Sequence, residues 1–281
     1  MIKAVTNKRE SWNTIILYLI ILISLSSISY FAILKLNPAS IFVGLLMMCP
    51  ALASIITLRI KGRSVKNLPW KLKKNEYLFL SYIIPVLYIT IAYLLIWLLG
   101  YGTIFNTETL IDWSKELGIT NHKPMVIVIM VVLLATVGVL KNIGSTLGEE
   151  IGWRGFFIWE LRKVMSFNNV SIVSGMIWSA WHWPIIIYYG GGNTLLQITA
   201  FTIMILGISV ILNYYTFKAN SLWPAALFHS VHNIFIQKIF TPLTIANDAT
   251  SFWIDEYGIM LPLITTVFAV YFWKKAKAEQ L

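Results

Sequence analysis

Long apolar blocks separated by short polar and basic segments dominate the chain. They fall at about 14–34, 39–58, 77–100, 125–146, 168–188, 194–217, 222–240 and 257–273. Several reach the ~20 residues that a helix needs to cross ~30 Å of hydrocarbon. An isolated span in lipid must satisfy its own backbone hydrogen bonds, so each block is read as a helix. The alternation of a transmembrane barrel is absent. The pattern predicts an all-α, polytopic transmembrane helix bundle of about eight spans, forming a single membrane domain over residues 1–281. Segment 101–124 is the longest stretch between spans and is read as an outer loop of ordinary polar residues. Pro184, Pro224 and Pro262 lie at or inside apolar spans, where kinks are tolerated once neighbouring groups satisfy the freed carbonyls. The first apolar run follows a basic segment as a signal peptide would. It is too long for a signal core and lacks a small-x-small cleavage site, so it is read as a retained helix.

Composition agrees with this picture. Apolar residues make up 58% of the chain and charged residues only 12%, with a mean hydropathy of +0.73. A soluble domain carries about 25% charged residues, so this chain has too little charge to cover a water-facing surface. The net charge of +10 would suit a nucleic-acid binder, but its placement argues for a membrane. Lys3, Lys8 and Arg9, the group Arg59, Lys61, Arg63, Lys66, Lys71, Lys73 and Lys74, then Arg162, Lys163 and Lys218, and the tail residues Lys274, Lys275 and Lys277 all fall on one side of an eight-span layout. The other side receives Lys35, Lys115, Lys123 and Lys238, with Glu108, Asp112, Glu116, Asp248, Asp255 and Glu256. The positive-inside rule then places both termini in the cytoplasm, in a multi-pass protein of the cell membrane, facing anionic headgroups. No nucleic-acid-binding motif is present, and the Lys-, Ile- and Asn-rich chain has a bacterial cast. Cys49 is the only cysteine, which excludes an intrachain disulfide and a cysteine-based metal cluster.

Ionisable groups inside apolar spans cost ~2.5–3.5 kcal/mol each at a helix centre, so they face a cavity or a partner. Three groups stand out. In GEEIGWRG, residues 148–155, Glu150 and Arg154 are spaced i, i+4 in the favourable order for an ion pair. Glu149 points ~100° away around the helix, free to face another helix or water and to act as a general acid–base. A solvated ion pair at a helix end is the plainer reading of that segment alone. In WSAWHWP, residues 178–184, His182 lies among apolar and aromatic residues, as a structural hydrogen-bonder also would. In FHSVHN, residues 228–233, His229 and Asn233 share a helix face while His232 leans to the other side. A local interhelical hydrogen-bond cluster would account for those three. Together, a carboxylate, a histidine from a second helix and a histidine–asparagine pair from a third can deprotonate water and stabilise an oxyanion. No Ser–His–Asp set, P-loop or HExxH motif competes.

In this order the three segments resemble the CAAX protease and bacteriocin-processing family of intramembrane peptidases, which includes the type II CAAX prenyl proteases. That family's EExxxR, FxxxH and HxxxN motifs stand here as Glu149-Glu150-x-x-x-Arg154, Trp178-x-x-x-His182 and His229-x-x-x-Asn233. The resemblance covers about 125–240, with Trp178 where the family usually has phenylalanine. It implies that Glu149 activates water with help from His182, that His229 and Asn233 stabilise the oxyanion, and that Glu150 and Arg154 form an orienting ion pair. It further implies hydrolysis of a peptide bond in a membrane-anchored or lipidated substrate, with the bilayer itself as the other partner. Such enzymes are described both as metalloproteases and as metal-free glutamate proteases. Glutamate and two histidines could hold zinc, whereas asparagine suits an oxyanion better, and no cofactor is assigned. Two other classes fit the composition. One is a bacteriocin self-immunity or partner-binding protein acting without catalysis. The other is a transporter, for which the inverted repeats expected of many such folds are not visible.

Overall fold

Apolar runs of this length fold as continuous helices because lipid offers their amides no other partner. The structure, a computed structural model, describes residues 8–36, 39–72, 76–119 and 122–281. Lys3, Lys73 and Lys74, assigned above to the basic side, lie outside the described residues. Helix α1 spans Lys8–Lys35, α2 Ala39–Ile60, α3 Glu76–Leu98 and the short α4 Thr107–Leu117. Helix α5 runs unbroken over Lys123–Arg162. It is followed by α6, Phe167–Tyr189, and α7, Thr194–Ala219. Helix α8 occupies 223–243, α9 is the single turn Thr250–Trp253, and α10 spans Met260–Ala278.

The chain is an all-α, multi-pass membrane protein. Helices α1 to α3 and α5 to α7 are each long and apolar enough to cross a bilayer. The remaining two expected spans are helical as well. Helix α8 is diluted by buried His229 and His232, and α10 by Lys274, Lys275 and Lys277 near its end.

Two sequence-based expectations need correction. The span placed at 125–146 continues to Arg162, because the charges that looked like a helix end are neutralised inside the bundle. The segment 101–124 is more than polar loop. It contains α4, a helix of amphipathic pattern, and strand β1, Thr103–Ile104, which pairs antiparallel with β2, Thr244–Ile245. Of the three prolines placed at or inside spans, Pro184 lies inside a helix, while Pro224 and Pro262 occupy first turns where no helical bond is lost. Pro50 and Pro85, which the reading passed over, also lie inside helices, and Pro242 falls in the last turn of α8.

The outer surface is apolar and the interior admits small polar residues, the reverse of a soluble protein. Along α1, Ile16, Ile20, Ile23 and Phe31 are exposed, while Ser26 and Ser29 are buried. Ser26 accepts a hydrogen bond from Trp181 Nε1 at 2.7 Å, joining α1 to α6. Such bonds and close packing hold helices together where lipid supplies no hydrophobic driving force between them.

The two ends of the bundle differ. At one end Arg63 meets Glu160 at 2.7 Å, Lys218 meets Glu279 at 2.8 Å, and Leu222 N donates to Pro69 O at 3.0 Å. The basic residues cluster here. The β1–β2 pair lies at the opposite end, where Asn247 and Thr250 donate to the carbonyls of Gly100 and Tyr101.

Candidate active site

The motif of α5 lies against α2 through two glycines. A Cβ on Gly148 would stand 2.8 Å from Met47 O, and one on Gly152 would stand 2.4 Å from the carbonyl carbon of Pro50. This is small-xxx-small packing, and it seats Glu149 and Glu150 deep in the protein, at 2% and 0% exposure. Immediately afterwards the backbone widens into a π-helical segment, Ile151–Phe157, of the kind often found at functional sites.

Glu150 and Arg154 form the expected ion pair, at 3.0 and 3.2 Å from Nη1 to the two carboxylate oxygens. Both are buried, and the guanidinium is held on two further sides. Its Nη2 donates to Ser209 Oγ of α7 at 3.3 Å, and its carbon lies 4.1 Å from the Trp178 ring centre. Glu150 has a second task that the spacing did not reveal. Its Oε1 also accepts from His229 Nδ1 at 2.9 Å. The first motif therefore fixes the histidine of the third.

Glu149 turns the other way, as the helix geometry required. Its Oε2 accepts from Trp178 Nε1 at 2.8 Å. Four residues on, His182 Nδ1 donates to the Trp178 carbonyl at 2.9 Å. A carbonyl can only accept, so Nδ1 carries the proton, and a neutral ring presents Nε2 as an acceptor. Trp178 thus holds the carboxylate with its indole and sets the histidine tautomer with its backbone. Its ring also meets that of His229 at 5.3 Å.

Glu149, His182, His229 and Asn233 line one cavity of about 300 Å³. Asn142 and Ser145 of α5 contribute to the same wall, as do His232 and Gln237 of α8. His182 lies ~20 Å along α6 from its start at 1.5 Å per residue. Glu149 reaches the same cavity because α5 carries on well past it to Arg162.

The same cavity is lined by Glu256, from the loop between α9 and α10. Gln237 Nε2 donates to its two oxygens at 3.1 and 3.3 Å, and His232 Nε2 approaches Oε1 at 3.4 Å. Tyr88 hydrogen-bonds the other nitrogen of His232. Burial opposes the charge on Glu256, yet the hydrogen bonds from His232 and Gln237 outweigh it and hold this carboxyl below its usual range. Burial, followed by the charge of Glu256, pushes the neighbouring Asp255 up to about 6.

Sequence reasoning missed Trp178 as a polar ligand, the double role of Glu150, Gln237 and Glu256. Glu256 lies outside every expected span and had no signal. The Gly148–Gly152 spacing was legible and unused.

Among the described residues, no three His, Cys, Asp or Glu side chains come close enough together to hold a metal ion. Glu149, Glu150 and His229 are instead occupied by protein partners. The groups facing the cavity are carboxylates, imidazoles and amides, which between them can accept and donate hydrogen bonds.

Comparison with known proteins agrees with the resemblance seen in the motifs. Residues 122–235 match the family described as type II CAAX prenyl endopeptidase Rce1-like. The CAAX prenyl protease 2 of Methanococcus maripaludis is 45% identical over 38 residues, a stretch that spans 14% of this chain and 14% of that protein.

Proposed function

We infer, from a core similar to the type II CAAX prenyl endopeptidases, that this chain hydrolyses a peptide bond in a membrane-anchored or lipidated protein or peptide. The observation that supports this reading is the convergence of Glu149, His182, His229 and Asn233, from three helices, on one cavity. At ~30 Å³ per water, that space has room for a short stretch of peptide and the water that attacks it.

Glu149 has one oxygen tied to Trp178, which leaves Oε1 to accept a proton from the attacking water. Nε2 of His182 accepts the second O–H of the same water and orients it. As the water oxygen bonds to the scissile carbonyl carbon, its proton passes to Glu149 and negative charge gathers on the carbonyl oxygen. His229, carrying a proton on Nδ1 against Glu150 and a second on Nε2 as the imidazolium that this carboxylate supports, donates from Nε2 to that oxygen, as does the amide of Asn233. Collapse of the tetrahedral intermediate breaks the C–N bond, and Glu149 returns its proton to the leaving amine. Both termini and the basic end face the cytoplasm in this reading.

The experiment is cleavage of a fluorogenic lipopeptide by the purified protein, with Glu149→Ala and His182→Ala beside the wild type. General acid–base catalysis contributes ~10²–10⁴-fold, so each variant should lose at least that lower factor in kcat/KM. Variants that cleave as fast as the wild type would remove these residues from the chemistry.

A further inference from the structure

Glu256 lies beyond the residues that match the endopeptidase family, yet its carboxylate lines the same cavity as Glu149 and His182. We propose that Glu256 forms a cation-binding subsite that selects substrates with a lysine or arginine side chain in the segment entering the cavity. This inference rests on the peptidase reading and adds to it a substrate class.

The carboxylate is held in place. Asp255 adopts a left-handed backbone, φ 68°, uncommon for a non-glycine residue. Its side chain accepts the Glu256 N–H at 2.7 Å. The turn is closed by Ile259 N donating to Phe252 O at 3.0 Å, and a Cβ on Gly258 would stand 2.3 Å from Ile254 O. That turn has no slack, and it directs residue 256 inward, where the side chain is 13% exposed.

No fixed cation of the protein meets this carboxylate. Among the described residues, no lysine or arginine forms an ion pair with Glu256. Its partners are an amide and an imidazole. His232 turns Nε2 towards Glu256, and its Nδ1 hydrogen-bonds the Tyr88 hydroxyl. A mostly buried carboxylate that no lysine or arginine of the protein meets gains most from a cation that arrives with its own apolar stem.

The walls suit such a guest. Tyr257 and Phe201 line the cavity with their ring centres 5.9 Å apart, and Phe201 lies 5.2 Å from the ring of His182. Aromatic faces next to a carboxylate bind the methylene stem and the charged head of a lysine or arginine together. The subsite therefore adjoins the hydrolytic groups, and the basic side chain belongs near the scissile bond.

The test measures binding without turnover. Purified full-length protein with Glu149→Ala is titrated with fluorescent lipid-anchored peptides in which a single lysine is scanned through the sequence, each paired with its norleucine counterpart. At one or more positions lysine should tighten binding at least tenfold, equivalent to ~1.4 kcal/mol. Adding Glu256→Gln should abolish that gain and leave norleucine peptides unaffected, because glutamine keeps its place beside Gln237. Adding Glu256→Lys should transfer the preference to glutamate-bearing peptides. Lysine without effect at every position, or a gain that survives Glu256→Gln, overturns the subsite. Loss of the peptidase reading would appear separately, as unimpaired cleavage by Glu149→Ala alone.

Discussion

Trp178→Phe removes one polar atom from the centre of the site and nearly nothing else. The Trp178 carbonyl that fixes the His182 tautomer is backbone and stays. An aromatic ring remains beneath Arg154 and beside His229. Lost is the 2.8 Å hydrogen bond from Nε1 to Glu149 Oε2. A hydrogen bond to a charged group is worth ~1.5–3 kcal/mol. At 1.36 kcal/mol per factor of ten, Trp178→Phe should lower kcat/KM by ~10- to 150-fold. The loss belongs in kcat, because Glu149 in this scheme acts on the water and not on the bound peptide. The assay is steady-state cleavage of the fluorogenic lipopeptide at several concentrations, with thermal unfolding in the same detergent as a control for folding. Trp178→Ala should be worse on both counts, since it also strips the ring from Arg154 and His229. A Trp178→Phe enzyme within twofold of the wild type, or one altered only in KM, would refute the idea that the indole positions the carboxylate.

Two further outcomes follow from the packing around that bond. Removing one partner of a buried ion pair typically costs ~3–5 kcal/mol, whereas replacing both with apolar residues of similar size is often neutral. Unfolding titrations should therefore show Glu150→Met and Arg154→Met each strongly destabilised and the double variant closer to the wild type, and equal, additive losses would contradict this. Gly152→Ala places a methyl 2.4 Å from the Pro50 backbone. It should destabilise by ~1–3 kcal/mol, the usual range for overpacking, while Gly44→Ala in open space should change the unfolding midpoint little. Equal effects of the two alanines would mean that the α2–α5 contact is not close.

The helix class and most span positions were legible because lipid imposes one rule on every backbone. The end of α5 was not legible. Glu149, Glu150 and Arg154 look like an interface when read alone, and only the bundle shows that the pair cancels internally. The set Glu149, His182, His229 and Asn233 could be selected from sequence because ionisable groups in apolar runs are conspicuous, and all four line one cavity. Their supporting contacts were hidden for a physical reason. Trp178 reads as one more aromatic in an aromatic helix, and its role depends on where a carboxylate 29 residues earlier comes to rest. Glu256 reads as one of several acidic loop residues, and only the turn at Asp255 brings it inward.

The length of α5 has a consequence for the lipid around it. Its 40 residues amount to ~60 Å of helix at 1.5 Å per residue, against ~30 Å of hydrocarbon. A rod of that length cannot stand upright within the bilayer. It must lean, bend at its π-helical segments or emerge from the surface, and each of these disturbs the annular lipids on one flank. Bilayer thickness is therefore expected to bear on the tilt of the one helix that carries Glu149 and Glu150.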